Sequence, residues 1–400
     1  MASVFSGKNI VVGITGSIAA FKVAGWVSDL AKEESLVSVV MTESAKKFVT
    51  PLTFSALSGR EVFSAMFDQT SGSSMAHIDL GREADLLVIA PATANTIAKL
   101  SAGLADDLLS TAVLAARCNV IIFPAMNSRM YAHPATQANI LKLRNLGYMV
   151  VEPDCGTMAC KEEGAGRLVE WDVAKEYLAS ALSIQDLKKE RIVVTAGPTR
   201  EAIDPARFLS NRSSGKMGFA LARCARRRGA EVVLISGPSS IEPPLGVKVI
   251  KVDSAQEMCD ATLEEAAHSS IVVKAAAVAD YRPTTFSSQK VKKENIESNL
   301  TLAKNPDILY LLGQQKRAGQ ILVGFAAESQ NLLAEGGKKL DKKNLDLIAV
   351  NDISSSQAGF EVDTNQVVLL DKKGHKKLPL TTKHHTADLI LNKIIELREL

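Results

Sequence analysis

Short β-branched runs alternate with helix-period stretches along nearly the whole chain. In the first half the runs are NIVVGIT, LVSVVMT, ADLLVIA, NVIIFPA and YMVVEP. After residue 190 they are RIVVTAG, AEVVLIS, KVIKV, SIVVKAAA, ILVGFAA, LDLIAVND and QVVLLD. Near-continuous apolar runs mark strands buried on both faces, and helices between them mark parallel pairing. The expected fold is α/β with two Rossmann-like, doubly wound domains. The polar, lysine-rich SIQDLKKER, from Ser183 to Arg191, follows a helix and precedes a fresh strand. It sets the expected boundary, giving domains 1–189 and 190–400, each the size of one such domain.

Composition narrows the partners. Hydrophobic residues make up 46% and charged residues 23%, as in an ordinary globular chain. The 47 basic and 44 acidic side chains leave a net charge of +3, which gives no general attraction for nucleic acid or a membrane. ARRRGAE and DKKGHKK are short and read as solvated helix or turn faces. The N-terminus lacks a signal-peptide layout, and no apolar run approaches the ~18 residues of a membrane span. Five cysteines do not suggest a disulfide scaffold. The expectation is a cytoplasmic protein acting on small molecules.

Candidate chemistry gathers where strands end. GITGS and TAGPTRE each put glycine at a strand-to-helix turn, where amides and the helix dipole favour an anion. Neither is a full G-x-G-x-x-G, so a tight turn explains each as well. SNRSSGKMG, Ser210–Gly218, resembles a P-loop only in composition. Lys216 is followed by Met217, and the nearest upstream glycine is Gly197, so the P-loop spacing is absent. Thr42 and Ser44 follow a strand, where capping the next helix and binding phosphate explain them equally. Thr93 and Asn95 lie at the carboxyl end of DLLVIA, and Asn127 lies at the end of NVIIFPA, with an amide that both donates and accepts. His77 precedes a helical pattern. Cys155 and Cys160 sit in a glycine-rich loop; two thiols with no nearby histidine do not make a zinc site, and a mobile flap carrying one functional thiol fits better.

GITGSIAAFK, APATANTIAKLSAG, PAMNSRMY and GTMACKEEGAGRL resemble the signature segments of flavin-dependent cysteine decarboxylases. TAGPTREAIDPARFLSNRSSGKMGFALA and AAAVADYRP resemble phosphopantothenate–cysteine ligase. In this order, from about residue 8 to residue 395, they resemble the bifunctional phosphopantothenoylcysteine decarboxylase and phosphopantothenate–cysteine ligase family of coenzyme A biosynthesis. The resemblance implies a flavodoxin-like first domain holding FMN, and a parallel-sheet ligase domain. Gly16, Ser17, Thr42 and Ser44 would lie near the flavin phosphate, with Thr93, Asn95 and Ser110 among the other FMN contacts. FMN would oxidise the cysteinyl thiol of phosphopantothenoylcysteine to a thioaldehyde, from whose neighbouring carbon carbon dioxide leaves. His77 would serve the oxidation, Asn127 would hold the substrate carboxylate, and Cys160 would protonate the reduced product. Two positions depart from the family pattern: Tyr131 stands where tryptophan is common, and Lys161 where glycine is common.

For the second half the resemblance implies that CTP activates 4'-phosphopantothenate as an acyl-cytidylate, which the amine of cysteine then attacks. Asn211 would turn over that intermediate, beside Arg207. Ser213, Ser214 and Gly215 would offer hydroxyls and amides to phosphate, as a nest does. Lys274, Ala275, Ala276, Asn305, Pro306, Asp307, Ile308 and Phe325 would contact the nucleotide. Asp280 would do so through Mg²⁺, and Lys290 would stand at the reacting phosphate. Lys339 and Lys343, four apart, would share a helix face toward the triphosphate. A homo-oligomer, a dodecamer in the family, is implied. Two rivals remain: a nicotinamide-dependent oxidoreductase with two Rossmann domains, and a non-enzymatic flavin-binding regulator.

Overall fold

Every residue of Leu86–Ala92 is buried, as a central strand covered by helices on both faces requires. A computed structural model describes residues 3–66, 75–157, 161–291, 299–328, 331–352 and 362–398. The chain divides into two units, Met1–Ser183 and Ile184–Leu400. This division falls a few residues before the 189/190 boundary expected from the lysine-rich stretch. That stretch packs on the second unit: Leu187 is fully buried in its core, and Asp186 pairs with Arg228 at 2.6 Å.

The first unit contains β1 (Asn9–Ile14), β2 (Leu36–Met41), β3 (Val62–Phe63), β4 (Leu86–Ala92), β5 (Asn119–Pro124) and β6 (Met149–Val150). They form a parallel sheet in the order β3-β2-β1-β4-β5-β6. Without the two-residue edge strand β3, the order is that of flavodoxin-like sheets, with the switch point between β1 and β4. An antiparallel pair follows, β7 (Asp154–Thr157) and β8 (Glu163–Arg167). Helices α1 (Ala20–Lys32) and α2 (Pro51–Ser58) cover one face, joined there by α8 (Trp171–Leu182). The other face carries α3 (Ala76–Glu83), α4 (Ala94–Ala102), α5 (Leu108–Ala115) and α7 (Pro134–Asn145), with the short α6 (Ser128–Ala132) before α7. The apolar stripe of α1, from Ala20 through Val23, Trp26, Val27 and Leu30, explains its docking. Trp26 meets Phe123 edge to face at 5.3 Å. Each such buried side chain contributes about 1.5–3 kcal/mol. YMVVEP reads as a full strand by pattern, but only Met149 and Val150 pair.

The second unit is built on a larger sheet. Its strands in chain order are β9 (Arg191–Ala196), the short pair β10 (Arg200–Ala202) and β11 (Phe208–Ser210), β12 (Glu231–Ser236), β13 (Lys248–Lys251) and β14 (Ile271–Lys274). Then come the short pair β15 (Tyr281–Pro283) and β16 (Leu302–Lys304), followed by β17 (Ile321–Glu328) and β18 (Leu347–Asp352). The last are β19 (Thr364–Asn365), β20 (Val367–Asp371), β21 (Gly374–Lys377) and β22 (Thr381–Thr382). The main sheet runs β13-β12-β9-β14-β17-β18-β20-β21. Helices α9 (Lys216–Arg227) and α13 (Lys383–Arg398) cover one face, and α10 (Ala255–Ala266), α11 (Ile308–Gln314) and α12 (Leu332–Lys342) the other.

QVVLLD departs from the parallel expectation, since β20 and β21 are antiparallel. The intervening ISSSQAGFEVDTNQ carries no apolar helical repeat, and a parallel return needs a crossover element. The basic run DKKGHKK supplies the turn into β21, whose residues are all exposed; its lysines keep this edge from pairing with another chain. No helix among the described residues is long and apolar enough to cross a membrane.

Candidate active sites

At the carboxyl end of the first sheet lies a cavity of about 480 Å³. The turn after β1 contributes Ser17 and Ile18, and the first turn of α1 Phe21; the turn after β5 contributes Met126 and Asn127; the β7–β8 pair contributes Thr157 and Arg167. Thr15 ties the ends of β1 and β4 together, donating to Pro91 O and accepting the Thr93 N–H at 3.1 Å. Gly16 is a close approach. A Cβ there would stand 2.5 Å from Ser44 Cβ, so only glycine lets the two turns meet. Ser17 Oγ accepts the Ala19 N–H at 3.4 Å, just before α1 begins. A helix start, a glycine approach and an apolar groove suit a ligand with an anionic tail and a flat ring.

Asn127 caps α6. Its Oδ1 accepts the Arg129 N–H at 2.9 Å, while Nδ2 donates to the Glu162 carboxylate at 2.6 Å. The flap strand β8 packs closely here, because a Cβ on Gly164 would lie 2.8 Å from Ser128 Cβ. Tyr131 is buried and donates its hydroxyl to Glu152; burial and that carboxylate push the phenol up to about 12. Lys161 has φ +64°, in the left-handed region that glycine enters most easily.

In the second unit, the ends of β9 and β14 are stitched by backbone and hydroxyl bonds. Thr195 Oγ1 accepts the Ala276 N–H at 3.1 Å, Thr199 Oγ1 accepts the Ala279 N–H at 3.0 Å, and the Ala277 N–H donates to Gly197 O at 2.9 Å. SNRSSGKMG is a helix entrance. Gly215 is the N-cap of α9 at φ +82°, and a Cβ on it would touch Gly197 N at 3.2 Å. Gly218 lets α9 lie on β9, since its Cβ would meet Ala196 Cβ at 2.6 Å. The lysine does not act as a P-loop lysine would, for Lys216 Nζ pairs with Asp363 at 2.6 Å. Asn211 reaches across to donate to Val278 O at 2.9 Å.

Beside these ends a cavity of about 160 Å³ is lined by Lys274, Asp280, Asn305, Pro306, Asp307, Ile308, Phe325, Lys339 and Lys343. Lys274 Nζ donates to Ala276 O at 3.1 Å. Burial, and then the charge of Lys343, push its pKa down to about 8. Burial works against the charge on Asp307. A hydrogen bond from Lys343 at 2.9 Å and the Tyr310 N–H outweigh it and hold the carboxyl below its ordinary range. Asn305 bonds Ala279 O through Nδ2 at 2.8 Å, and its N–H donates to Asp280 O at 2.9 Å. Among the described residues no three His, Cys, Asp or Glu side chains group to hold a metal ion. A Mg²⁺ carried in on phosphates needs only one or two carboxylates, which Asp280 fits.

Two family models match the chain: "Flavoprotein" over residues 3–183, and "DNA/pantothenate metabolism flavoprotein C-terminal domain" over residues 187–397. The Coenzyme A biosynthesis bifunctional protein CoaBC of Haemophilus influenzae is 46% identical over 98% of this chain and 98% of its own length. Its counterpart from Bacillus subtilis is 46% identical over 98% of this chain and 97% of its own. The chain belongs to this family of bifunctional coenzyme A biosynthesis proteins. A crystal structure of the C-terminal domain of such a protein is 42% identical, covering 54% of this chain and 99% of that one, with a TM-score of 0.47.

Within this family frame the anticipated residues fall into three groups. Ser17 and Asn127 line the first cavity, and Gly16 and Ser44 are in contact. Of the nucleotide set, Lys274, Asp280, Asn305, Pro306, Asp307, Ile308, Phe325, Lys339 and Lys343 line one space, whereas Ala275 and Ala276, which follow β14, and Ser213, Ser214, Gly215 and Lys290 are not among its lining residues. Other residues have local work. Thr42 Oγ1 accepts the Ala45 N–H at 3.3 Å, whereas Ser44, the N-cap of the short 45–47 turn, makes no side-chain cap bond. Thr93 caps α4, with Asn95 exposed in its first turn. Ser110 is buried and closes a capping box with Asp107. His77 lies inside α3 rather than before it, off the cavity; its Nδ1 is buried with no hydrogen-bond partner among the described residues. Lys343 is the cap of α12, not part of it. Cys160 lies outside the described residues. Of Ser213 and Ser214, the first accepts the Gly215 N–H at 3.3 Å, and the second accepts a hydroxyl from Ser239 through its carbonyl.

Two participants escaped the sequence reading. Glu162 meets Asn127, and Asp204 binds Arg207. Asp204 had a signal, the Asp-Pro turn, but nothing local tells which distant group its second oxygen meets.

Proposed function

We propose that the chain makes 4'-phosphopantetheine in two stages, one in each unit. The second unit activates 4'-phosphopantothenate with CTP and joins it to cysteine; the first decarboxylates the phosphopantothenoylcysteine formed. What carries the reading is the convergence in the second unit of Lys274, Lys339 and Lys343 with Asp280, Asn305 and Phe325 around one space. Three ammonium groups beside an aromatic ring and an amide are what a nucleoside triphosphate needs.

In that unit the lysines neutralise the triphosphate, and Phe325 and Ile308 enclose the base. Asp280 would hold a Mg²⁺ carried in with the phosphates, which would supply positive charge there. Lys290, exposed on the segment after β15, supplies positive charge where it develops on the departing pyrophosphate. Asn211, already anchored on Val278 O, orients the activated carboxyl for the cysteine amine.

In the first unit the turn at Gly16, Ser17 and the start of α1 would hold the FMN phosphate, and Ile18, Phe21 and Met126 would offer the ring an apolar lining. FMN, when bound, supplies the oxidation of the thiol and the return of the electrons. Asn127 holds the substrate carboxylate, its Nδ2 exchanging Glu162 for the ligand. His77 Nδ1 offers an acceptor for a proton, and Cys160 is assigned the final protonation. The protein works in the cytoplasm as a homo-oligomer, up to a dodecamer.

The test supplies phosphopantothenate, cysteine and each nucleoside triphosphate in turn, and follows product mass and carbon dioxide. CTP should give the coupled product and then phosphopantetheine. Coupled product without carbon dioxide would remove the decarboxylase assignment, and activity with every triphosphate alike would remove the preference for CTP. A colourless protein that reduces or oxidises only with nicotinamide would leave the oxidoreductase rival standing.

A further inference from the structure

Asp204 lies in the loop between β10 and β11 and is 2% exposed. Its side chain makes more bonds than a turn requires. Oδ1 accepts the backbone N–H groups of Ala206 and Arg207, both at 2.8 Å, which is the local turn an Asp-Pro pair favours. Oδ2 serves another purpose. It accepts the Arg207 guanidinium, with Nε at 3.0 Å, and also the N–H of Val291 at 3.2 Å. Arg207 Nη2 in turn donates to Val291 O at 2.9 Å. Both backbone groups of Val291 are thus held, one by each member of an ion pair. The Ser287 N–H adds a bond to Ile203 O at 3.1 Å between the same two segments. Residues 284–291 form no helix or strand of their own, so these bonds set their course.

We propose that Asp204 is a positioning residue of the ligase site: with Arg207 it staples residues 287–291 to the β10–β11 loop and so sets where Lys290 stands. This rests on the reading of Lys290 as the cation at the reacting phosphate. An exposed lysine on an irregular segment wanders, and a charge that stabilises a transition state must be in place beforehand. The hydrogen bond from Arg207 holds the Asp204 carboxyl well below the usual carboxylate range, so the staple stays charged throughout the working pH range. It also gives Arg207 a structural duty beyond that of a neighbour to Asn211.

Asp204→Asn separates the turn from the staple. The amide keeps an oxygen for Ala206 and Arg207 N–H, but turns an NH₂ toward the guanidinium and the Val291 N–H. In the full-length protein, pyrophosphate release from CTP and phosphopantothenate should fall about tenfold to a hundredfold. Carbon dioxide release from supplied phosphopantothenoylcysteine should not change. Hydrogen exchange at the Val291 amide should quicken about tenfold or more, and Asp204→Asn with Lys290→Gln should be no slower than Lys290→Gln alone. A wild-type rate in Asp204→Asn, or losses that multiply in the double variant, overturns the proposal. Lys290→Gln at the wild-type rate overturns the reading of Lys290, and the positioning role with it; a failure confined to Asp204→Asn sinks the staple alone. The unmutated protein gives a check that needs no variant: its Val291 amide should exchange slowly, and exchange as fast as in an unstructured peptide rules the staple out.

Discussion

The two cavities hold ligands by different physics. The first is lined largely by carbon, from Ile18, Phe21, Ala125, Met126 and Leu168, beside Ser17, Asn127 and Arg167. The second is ionic, with three lysines and two aspartates around a smaller space. A flat ring gains from apolar burial, and a polyphosphate gains from fixed cations, so each cavity suits one half of the chemistry and not the other. In each unit glycine also makes a close approach where strands end, Gly16 in one and Gly197 with Gly215 in the other. The shared frame is therefore not what sets the chemistry; the side chains placed on it do.

If the two sites are separate devices, damage should stay in one of them. The largest effect is expected from Lys290→Gln, which removes the charge and leaves a polar side chain one atom shorter. Pyrophosphate release should fall by about 10²–10³, the usual loss for one charge-stabilising group. Decarboxylation of supplied phosphopantothenoylcysteine should hold its rate, and a parallel fall in both would show that the units do not act independently.

Asn127→Asp is the matching change in the first unit. It sets a second carboxylate beside Glu162, where the amide now donates at 2.6 Å, and beside the carboxylate of the substrate. Decarboxylase kcat/KM should drop about a hundredfold, or roughly 2.7 kcal/mol, with pyrophosphate release unchanged. Adding Glu162→Gln should recover part of the loss by removing one of the like charges. No recovery would mean that Glu162 does not share the site.

Gly237→Ala tests the backbone frame rather than the chemistry. A Cβ there would fall 1.8 Å from Pro198 O, so the turn after β12 must move. Overpacking of this kind costs about 1–3 kcal/mol. Calorimetry should show the second unit melting earlier while the first keeps its midpoint.

The smallest effect is one of pH. Lys274 has its pKa pushed down to about 8, chiefly by burial, so it sheds its proton where an ordinary lysine would not. Below pH 8 it is an ammonium facing phosphate; above, it is neutral. Titration calorimetry should show CTP affinity weakening by up to about tenfold between pH 8 and pH 9, since one unit of pKa corresponds to about 1.4 kcal/mol. Lys274→Arg should flatten that dependence. For stability the sign is opposite. Between pH about 8 and the ordinary lysine range the unfolded chain binds the extra proton, so this group makes the second unit more stable as pH rises.

Much of the frame was legible because its signals are local. ADLLVIA read as a buried strand and the glycine of GITGS announced a strand-to-helix turn, whereas TAGPTRE, read the same way, leads from β9 into the short strand β10, with the helix beginning only at Lys216. Placement was legible where a residue sits at its own strand end: Asn127 and Asp280 each line a cavity there. It was not legible where a hydroxyl had two uses: Ser110, expected among the flavin contacts, is engaged in a capping box with Asp107. His77, expected before its helix, lies within it, because the N-cap of α3 is Met75 and the helix begins at Ala76.

The sequence by itself determined the alternation of strands and helices, the two units and the turns where anions can bind. Side-chain periodicity and glycine conformation act over a few residues and need no distant partner. Only the tertiary structure decided that β20 returns antiparallel, that Lys216 pairs with Asp363 instead of a phosphate, and that Arg207 shares Asp204 with Val291. Those outcomes depend on which charges and amides the fold brings within hydrogen-bond reach, across separations along the chain over which local pattern carries no information.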